Sequence, residues 1–148
     1  MLWLLRHAEA VDGRPDEARP LTERGIDQAK AVGACLRRLG IPIDTCLASP
    51  KRRAVQTAQL ACAPLNLEVE TEPALAGAGF DAERLAAGHG ETLIVGHNPT
   101  ISTAVRELTG ARVNLRTTGL AGVQRGELVV LLTPEQIGVI AAGQEAAA

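Results

Sequence analysis

The sequence predicts an α/β domain, a three-layer sandwich with a mostly parallel central sheet and helices on both faces. Two apolar runs carry the strand part of this reading. Residues 2–5 are an unbroken apolar run, Thr92 leads into another at 93–95, and both are too short for helices, the pattern of strands buried on both faces. Each run stops abruptly, one at Arg6-His7 and the other at Gly96-His97. The helical part rests on stretches between such runs where apolar residues recur at helical spacing, as in Ile26, Ala29, Gly33 and Leu36.

Taken in order, the first strand leads into a polar loop, residues 11–20, with Gly13, Pro15 and Pro20 and two cations, Arg14 and Arg19. Thr22 is the expected N-cap of the first helix, which Gly40 and Pro42 stop. Residues 43–48 read as the second strand. Ser49-Pro50 then predicts a helix start, with Ser as cap and Pro at the first helical position. Ala54, Val55, Ala58, Ala61 and Cys62 form the apolar stripe of that helix. Lys51, Arg52 and Arg53 crowd its first turn, where the helix dipole disfavours cations. An anion bound there would offset the repulsion. Arg53 adjoins the apolar stripe and is the one expected to face inward.

Residues 65–70 alternate apolar and polar, as a half-buried strand near an edge does. Residues 71–91 are rich in Gly, with one short helix near 81–87 and a loop histidine, His89. After the strand at 92–95, Asn98 or Thr100 is the expected cap of a helix whose inner face is Ile101, Ala104, Val105 and Leu108 and which Gly110 closes. Residues 113–124, a turn at Arg125-Gly126 and a strand at 128–132 read as an antiparallel hairpin at the sheet's edge.

Composition bounds what such a domain can do. The 148 residues fit one domain, 1–148, with 141–148 expected to be a frayed tail. Hydrophobic residues at 46% and charged residues at 22% argue against disorder. Aromatics are 1%, so the core must be aliphatic. A net charge of −2 offers no general basic field for nucleic acid. No apolar run approaches the roughly 18 residues of a membrane span. Met1 enters the first strand with no basic leader region, so no membrane or secretory role is expected. Cys35, Cys46 and Cys62 are odd in number, lie in apolar segments and lack zinc-ligand spacing. They read as reduced, buried thiols of a cytoplasmic protein.

Arg6, His7, Arg53 and His97 are the candidates for chemistry. In open α/β sheets ligands bind beyond the carboxyl ends of the strands, which is where both histidines fall. Arginines hold anions with forked hydrogen bonds and stay charged. A histidine among them stays neutral at pH 7, because nearby cations lower its pKa. A neutral imidazole is a competent nucleophile toward phosphorus. Two histidines among arginines also repel a divalent cation, so no metal and no other cofactor is expected. The set suggests phosphoryl transfer through a phosphohistidine intermediate.

Arg6-His7-Ala8, the segment Ser49-Pro50-x-x-Arg53-Ala54-x-Gln56-Thr57, and Gly96-His97-Asn98-Pro99 together resemble the histidine phosphatase (phosphoglycerate mutase-like) superfamily. Arg19-Pro20-Leu21-Thr22 and the short length resemble more narrowly its phosphohistidine phosphatase SixA group. The resemblance covers nearly the whole chain, with the motifs in order. It implies His7 as the phosphorylated nucleophile, and Arg6, Arg53 and His97 as phosphoryl-binding groups. The backbone N–H of Asn98 and the side chain of Arg19 are further candidate contacts. It implies no metal, and a site that binds phosphate and oxyanion analogues.

Two departures narrow the substrate. Many superfamily members have Gly after the catalytic His; Ala8 stands here, as it does in the SixA-like group. Members that cleave alkyl phosphates usually carry a Glu in a Pro-Glu-Leu context after the third strand. Here the stretch is Glu72-Pro73-Ala74-Leu75, with Ala74 in the acid's place. An alkoxide leaving group needs an acid worth about 10²–10⁴-fold, whereas imidazole leaves more easily. The interval 71–91 is also too short for a lid that buries a metabolite. A monomer acting on a phosphorylated protein, such as a phosphotransfer domain, is therefore expected. The alternatives are a small-molecule phosphomonoesterase using Glu72 or Asp81 as acid, and a phosphate- or phosphoprotein-binding module without turnover.

Overall fold

A computed structural model describes residues 1–143. In chain order the elements are β1 (Leu2–Arg6), α1 (Glu23–Arg38), β2 (Thr45–Ala48), α2 (Arg52–Cys62), β3 (Val69–Thr71), α3 (Ala82–Ala86), β4 (Thr92–Gly96), α4 (Thr100–Thr109), β5 (Leu120–Gln124), β6 (Glu127–Leu132) and α5 (Pro134–Ala142). The strands form one six-stranded sheet in the order β3-β2-β4-β1-β5-β6. β3, β2, β4 and β1 run parallel, and β5 and β6 are antiparallel to their neighbours.

Strand alternation sorts the core into two layers. Trp3, Leu5, Cys46, Ala48, Leu93, Val95 and Leu120 face α1, α2 and α5, where Val32, Leu36, Ala58 and Ile137 meet them. Leu4, Leu47, Ile94 and Ala121 face α3 and α4, against Ala82, Ile101 and Val105. Each fully buried Leu or Ile contributes about 1.5–3 kcal/mol. Cys35, Cys46 and Cys62 are free thiols within this core.

Thr22 caps α1 by accepting from Gly25 N–H at 2.9 Å. Gly25 has a second role, because a Cβ there would collide with the main chain of Glu9. Gly33 likewise lets α1 approach the Ala61 carbonyl of α2, which a Cβ would meet at 2.7 Å.

Several expected boundaries move. α2 begins at Arg52, with Lys51 rather than Ser49 at the N-cap position. The Ser49 hydroxyl is drawn to a long-range partner instead of capping the helix. The third strand is Val69–Thr71 alone, because Ala63–Leu65 continues α2 as a 3₁₀ turn and Asn66 closes it in the left-handed region at φ 54°. Neither Asn98 nor Thr100 caps α4 with its side chain; Pro99 holds that position. The strand expected over 113–124 is ordered as strand only at Leu120–Gln124, and only its partner β6 lies at the edge. The turn between them holds Arg125 at φ 52° and Gly126 at φ 75°, the left-handed pair a tight hairpin requires.

Helix α5 lies where no element was foreseen. Thr133 accepts from Gln136 N–H while the Gln136 side chain accepts from Thr133 N–H, a capping box readable in Thr133-Pro134-Glu135-Gln136. Of the expected frayed tail, Ala141 and Ala142 are the last residues of α5 and Gly143 is its left-handed cap at φ 61°. The remainder of that tail, 144–148, lies outside the described residues.

Candidate active site

The parallel register places the two histidines side by side. Arg6 pairs with Gly96, so His7 and His97 each follow paired residues on adjacent strands. His7 N–H donates to the Gly96 carbonyl at 3.0 Å. The imidazole centroids are 5.1 Å apart, with the rings tilted by 56°. On the other side of β4, Ala48 pairs with Val95, which brings Ser49 level with Gly96 and next to His97. Ser49 Oγ lies 2.8 Å from His97 Nε2.

His7 Nδ1 is 2.7 Å from the carbonyl of Ala8. A carbonyl only accepts, so Nδ1 carries the proton and Nε2 keeps its lone pair. Burial pushes the His7 pKa down to about 4, assisted by the charges of Arg53, Arg6 and Arg19 and opposed by the Ala8 contact. Burial pushes His97 down to about 3, with His7, Arg53 and Lys51 adding to the effect and Asp16 opposing it. Both rings are therefore neutral at pH 7.

Two networks place the arginines. Arg6 donates from Nη1 to the Leu115 carbonyl at 3.0 Å, and burial lowers its pKa. Its Nε is buried with no protein partner among the described residues, as is His97 Nδ1. Arg53 is 6% exposed, as expected of an inward-facing residue. It donates from Nη1 to the Asp16 carbonyl at 2.9 Å and from Nη2 to Asp16 Oδ2 at 3.2 Å. One helical turn further on, Thr57 Oγ1 accepts from Ala8 N–H at 3.0 Å and donates to the Arg53 carbonyl at 2.7 Å. Thr57 thus ties the turn after β1 to α2.

Arg19 donates from Nε to the Val11 carbonyl at 2.7 Å and from Nη1 to Asp16 Oδ1 at 3.0 Å. It touches neither histidine by hydrogen bond, although its charge acts on His7. The Asn98 side chain donates to the Leu115 carbonyl at 2.7 Å and to Asn114 Oδ1 at 2.9 Å, and its Oδ1 accepts from Ser102. Its side chain is a strut, while its main-chain N–H has no acceptor among the described residues.

Each expected acid spends one carboxylate oxygen on a local cap. Glu72 Oε1 accepts from Ala74 N–H at 3.1 Å, capping a 3₁₀ turn at Pro73–Ala76. Asp81 caps α3 through Arg84 N–H and shares a cavity with Glu107 and Leu108. His89 is a loop residue whose carbonyl accepts from Thr45 Oγ1. Sequence reading missed Asp16, because nothing in a polar loop marks which acid will fold onto a distant arginine. It assigned Ser49 to a cap for the corresponding reason. Thr57 stood within a quoted motif without a role.

The sequence model of the histidine phosphatase superfamily, branch 1, matches residues 2–83. The chain belongs to the histidine phosphatase superfamily. An uncharacterised protein of Picosynechococcus sp. is 32% identical over 140 residues, covering 84% of this chain and 85% of that protein. The mitochondrial serine/threonine-protein phosphatase Pgam5 of Drosophila persimilis is 44% identical over 66 residues. That match covers 44% of this chain and 23% of Pgam5. The protein histidine phosphatase SixA complexed with tungstate superposes with a TM-score of 0.78 at 26% identity. It covers 90% of this chain and 96% of SixA. This histidine phosphatase superfamily member therefore has the phosphoglycerate mutase-like α/β fold and belongs among phosphatase enzymes.

Proposed function

We propose that the protein is a phosphohistidine phosphatase that passes the phosphoryl group through His7 and acts on a phosphorylated protein. The observation that carries this is the His7 ring. Its Nδ1 is locked on the Ala8 carbonyl, leaving a neutral Nε2 beside His97 among arginine cations. Arg6, Arg53 and His97 hold the phosphoryl oxygens, with the Asn98 N–H as a further donor. The protein thereby neutralises charge on the transferring group.

In the first step His7 Nε2 forms a bond to phosphorus as the bond to the substrate imidazole breaks. A substrate imidazole protonated on its other nitrogen leaves neutral and needs no acid from the protein. In the second step water attacks phosphorylated His7, releasing phosphate and restoring the neutral ring. Each candidate acid spends one oxygen on a local cap, and Ala74 stands where the acid would be expected, which suits a leaving group that needs no acid. The SixA structure in complex with tungstate supports the expectation that this site binds phosphate analogues. No element longer than the five-residue α3 lies between β3 and β4, which suits a phosphorylated side chain presented by another protein. Three buried free thiols suit a reducing, cytoplasmic compartment.

Similarity to Pgam5 favours a second reading, hydrolysis of a phosphomonoester on protein serine or threonine. One experiment separates the two. Phosphate release is measured from a histidine-phosphorylated protein, a phosphoserine peptide and a small alkyl phosphate. Turnover of the first alone supports the proposal. Comparable turnover of all three overturns it, and turnover of none leaves a binding module.

A further inference from the structure

Asp16 sits in an exposed 3₁₀ turn, Asp16–Ala18, that buries nothing of its own. Its carboxylate nevertheless joins three cations. Oδ1 accepts from Arg19 Nη1 at 3.0 Å, and Oδ2 accepts from Lys51 Nζ at 3.0 Å and from Arg53 Nη2 at 3.2 Å. Its main-chain carbonyl accepts from Arg53 Nη1 at 2.9 Å. The three cations come from two segments that are distant in sequence, the loop after β1 and the start of α2.

We propose that Asp16 is a positioning residue, which gathers Arg19, Lys51 and Arg53 into one cationic rim and so preforms the oxyanion site around His7 and His97. This rests on the reading of the cleft as the phosphoryl-binding site. Left alone, three neighbouring cations would repel one another, and the two on flexible stems would extend into water. Here the side chains of Arg19 and Lys51 are only 24% and 28% exposed. Arg52, between Lys51 and Arg53 but with no carboxylate partner among the described residues, is exposed. The gathered charges reach the rings: Arg19 and Arg53 act on His7, and Lys51 and Arg53 act on His97.

The opposite role, a carboxylate plug occupying the place of the oxyanion, fits the geometry less well. A guanidinium has five N–H groups. Asp16 takes one from each terminal nitrogen of Arg53, and the others have no acceptor among the described residues. Asp16 thus anchors Arg53 and leaves N–H groups for a ligand.

The test is tungstate affinity by calorimetry for wild type, Asp16→Asn, Asp16→Ala, Asp16→Glu, Arg19→Ala and Asp16→Ala/Arg19→Ala. Asp16→Asn keeps the size of the side chain, removes its charge and turns one of its two acceptor oxygens into a donor. Both Asp16→Asn and Asp16→Ala should weaken tungstate binding about tenfold, the scale of losing partly exposed ionic contacts. Asp16→Glu should restore part of it. Arg19→Ala should weaken binding in the wild-type background and change it by less than about twofold in the Asp16→Ala background, since coupled residues are not additive. With phosphoramidate as substrate, Asp16→Asn should raise KM more than it lowers kcat. Unchanged or tighter tungstate binding in Asp16→Asn overturns the proposal, and so does an equal Arg19→Ala loss in both backgrounds. Wild type that binds no tungstate overturns the reading of the cleft itself, and this inference with it.

Discussion

Ser49 Oγ lies 2.8 Å from His97 Nε2, and it also accepts from Lys51 N–H at 3.3 Å. With its acceptor side taken by Lys51, the hydroxyl is free to donate to His97. That tautomer leaves the proton on Nδ1, the buried atom with no protein partner among the described residues. Ser49 thereby fixes the His97 ring beside His7. Ser49→Ala should therefore cost turnover more than stability. A lost hydrogen bond of about 1 kcal/mol predicts a kcat/KM about fivefold lower. Steady-state kinetics and urea unfolding on the same preparation check this.

His7→Ala should abolish turnover, by at least about 10⁴-fold, because the other strand-end ring, His97, has its Nε2 taken by Ser49 and its Nδ1 buried. The fold should survive, since His7 is not part of either main core layer. Circular dichroism together with single-turnover phosphate release tests both halves. Retained activity would remove His7 from the nucleophile's role.

The lowered histidine pKa values set a pH dependence. His7 titrates near 4 and His97 near 3 in the folded protein, against about 6.5 unfolded. Between these values the unfolded chain binds more protons than the folded one, so stability rises with pH. The contribution is complete above about pH 6.5 and is lost as pH falls toward 4, at up to about 1.4 kcal/mol per pH unit per histidine. Asp16 adds to the acid side, because Lys51, Arg19 and Arg53 hold its carboxyl well below the usual range. Urea midpoints from pH 4 to pH 8 should climb and then level. The climb should be shallower in His97→Asn. Activity should fall in acid as His7 gains a proton, with no loss between pH 6 and 8 from this group.

Arg6 and Asn98 share one acceptor, the Leu115 carbonyl. Ser102 Oγ also accepts from Leu115 N–H at 3.0 Å, so Asn98 and Ser102 together pin this segment to α4. Asn98→Ala should cost about 1–2 kcal/mol of stability. It should also reduce kcat/KM several-fold, because the carbonyl that orients Arg6 loses its support. Thermal melts and kinetics read the two effects separately.

Gly25→Ala should be among the most damaging single changes outside the site. The added Cβ meets the Glu9 main chain, two residues beyond His7, and neither backbone can yield without moving the turn that carries the ring. A loss of about 1–3 kcal/mol is expected, the usual cost of overpacking. Ordinary behaviour of this variant in urea unfolding would contradict the close approach.

Local pattern by itself determined the strands at Leu2–Arg6 and Thr92–Gly96, the Thr22 cap, the short helix after Asp81 and the inward turn of Arg53. Apolar run length, period and cap chemistry are short-range properties and can be read residue by residue. Short-range pattern also led to errors where tertiary partners compete. Ser49 is a good cap by type, but the β2–β4 register offers it His97. Asn98 is likewise a good cap by type, but its Oδ1 is taken by the Ser102 hydroxyl and its amide nitrogen by Leu115 and Asn114. Only the tertiary structure decided that His7 and His97 lie ring to ring, since that depends on β1 pairing with β4 across some ninety residues in the Arg6–Gly96 register. It alone decided that Asp16, one of several acids near the chain start, closes on Arg53. Which carboxylate meets which guanidinium is set by where the loop lands, and no spacing in the sequence encodes that landing.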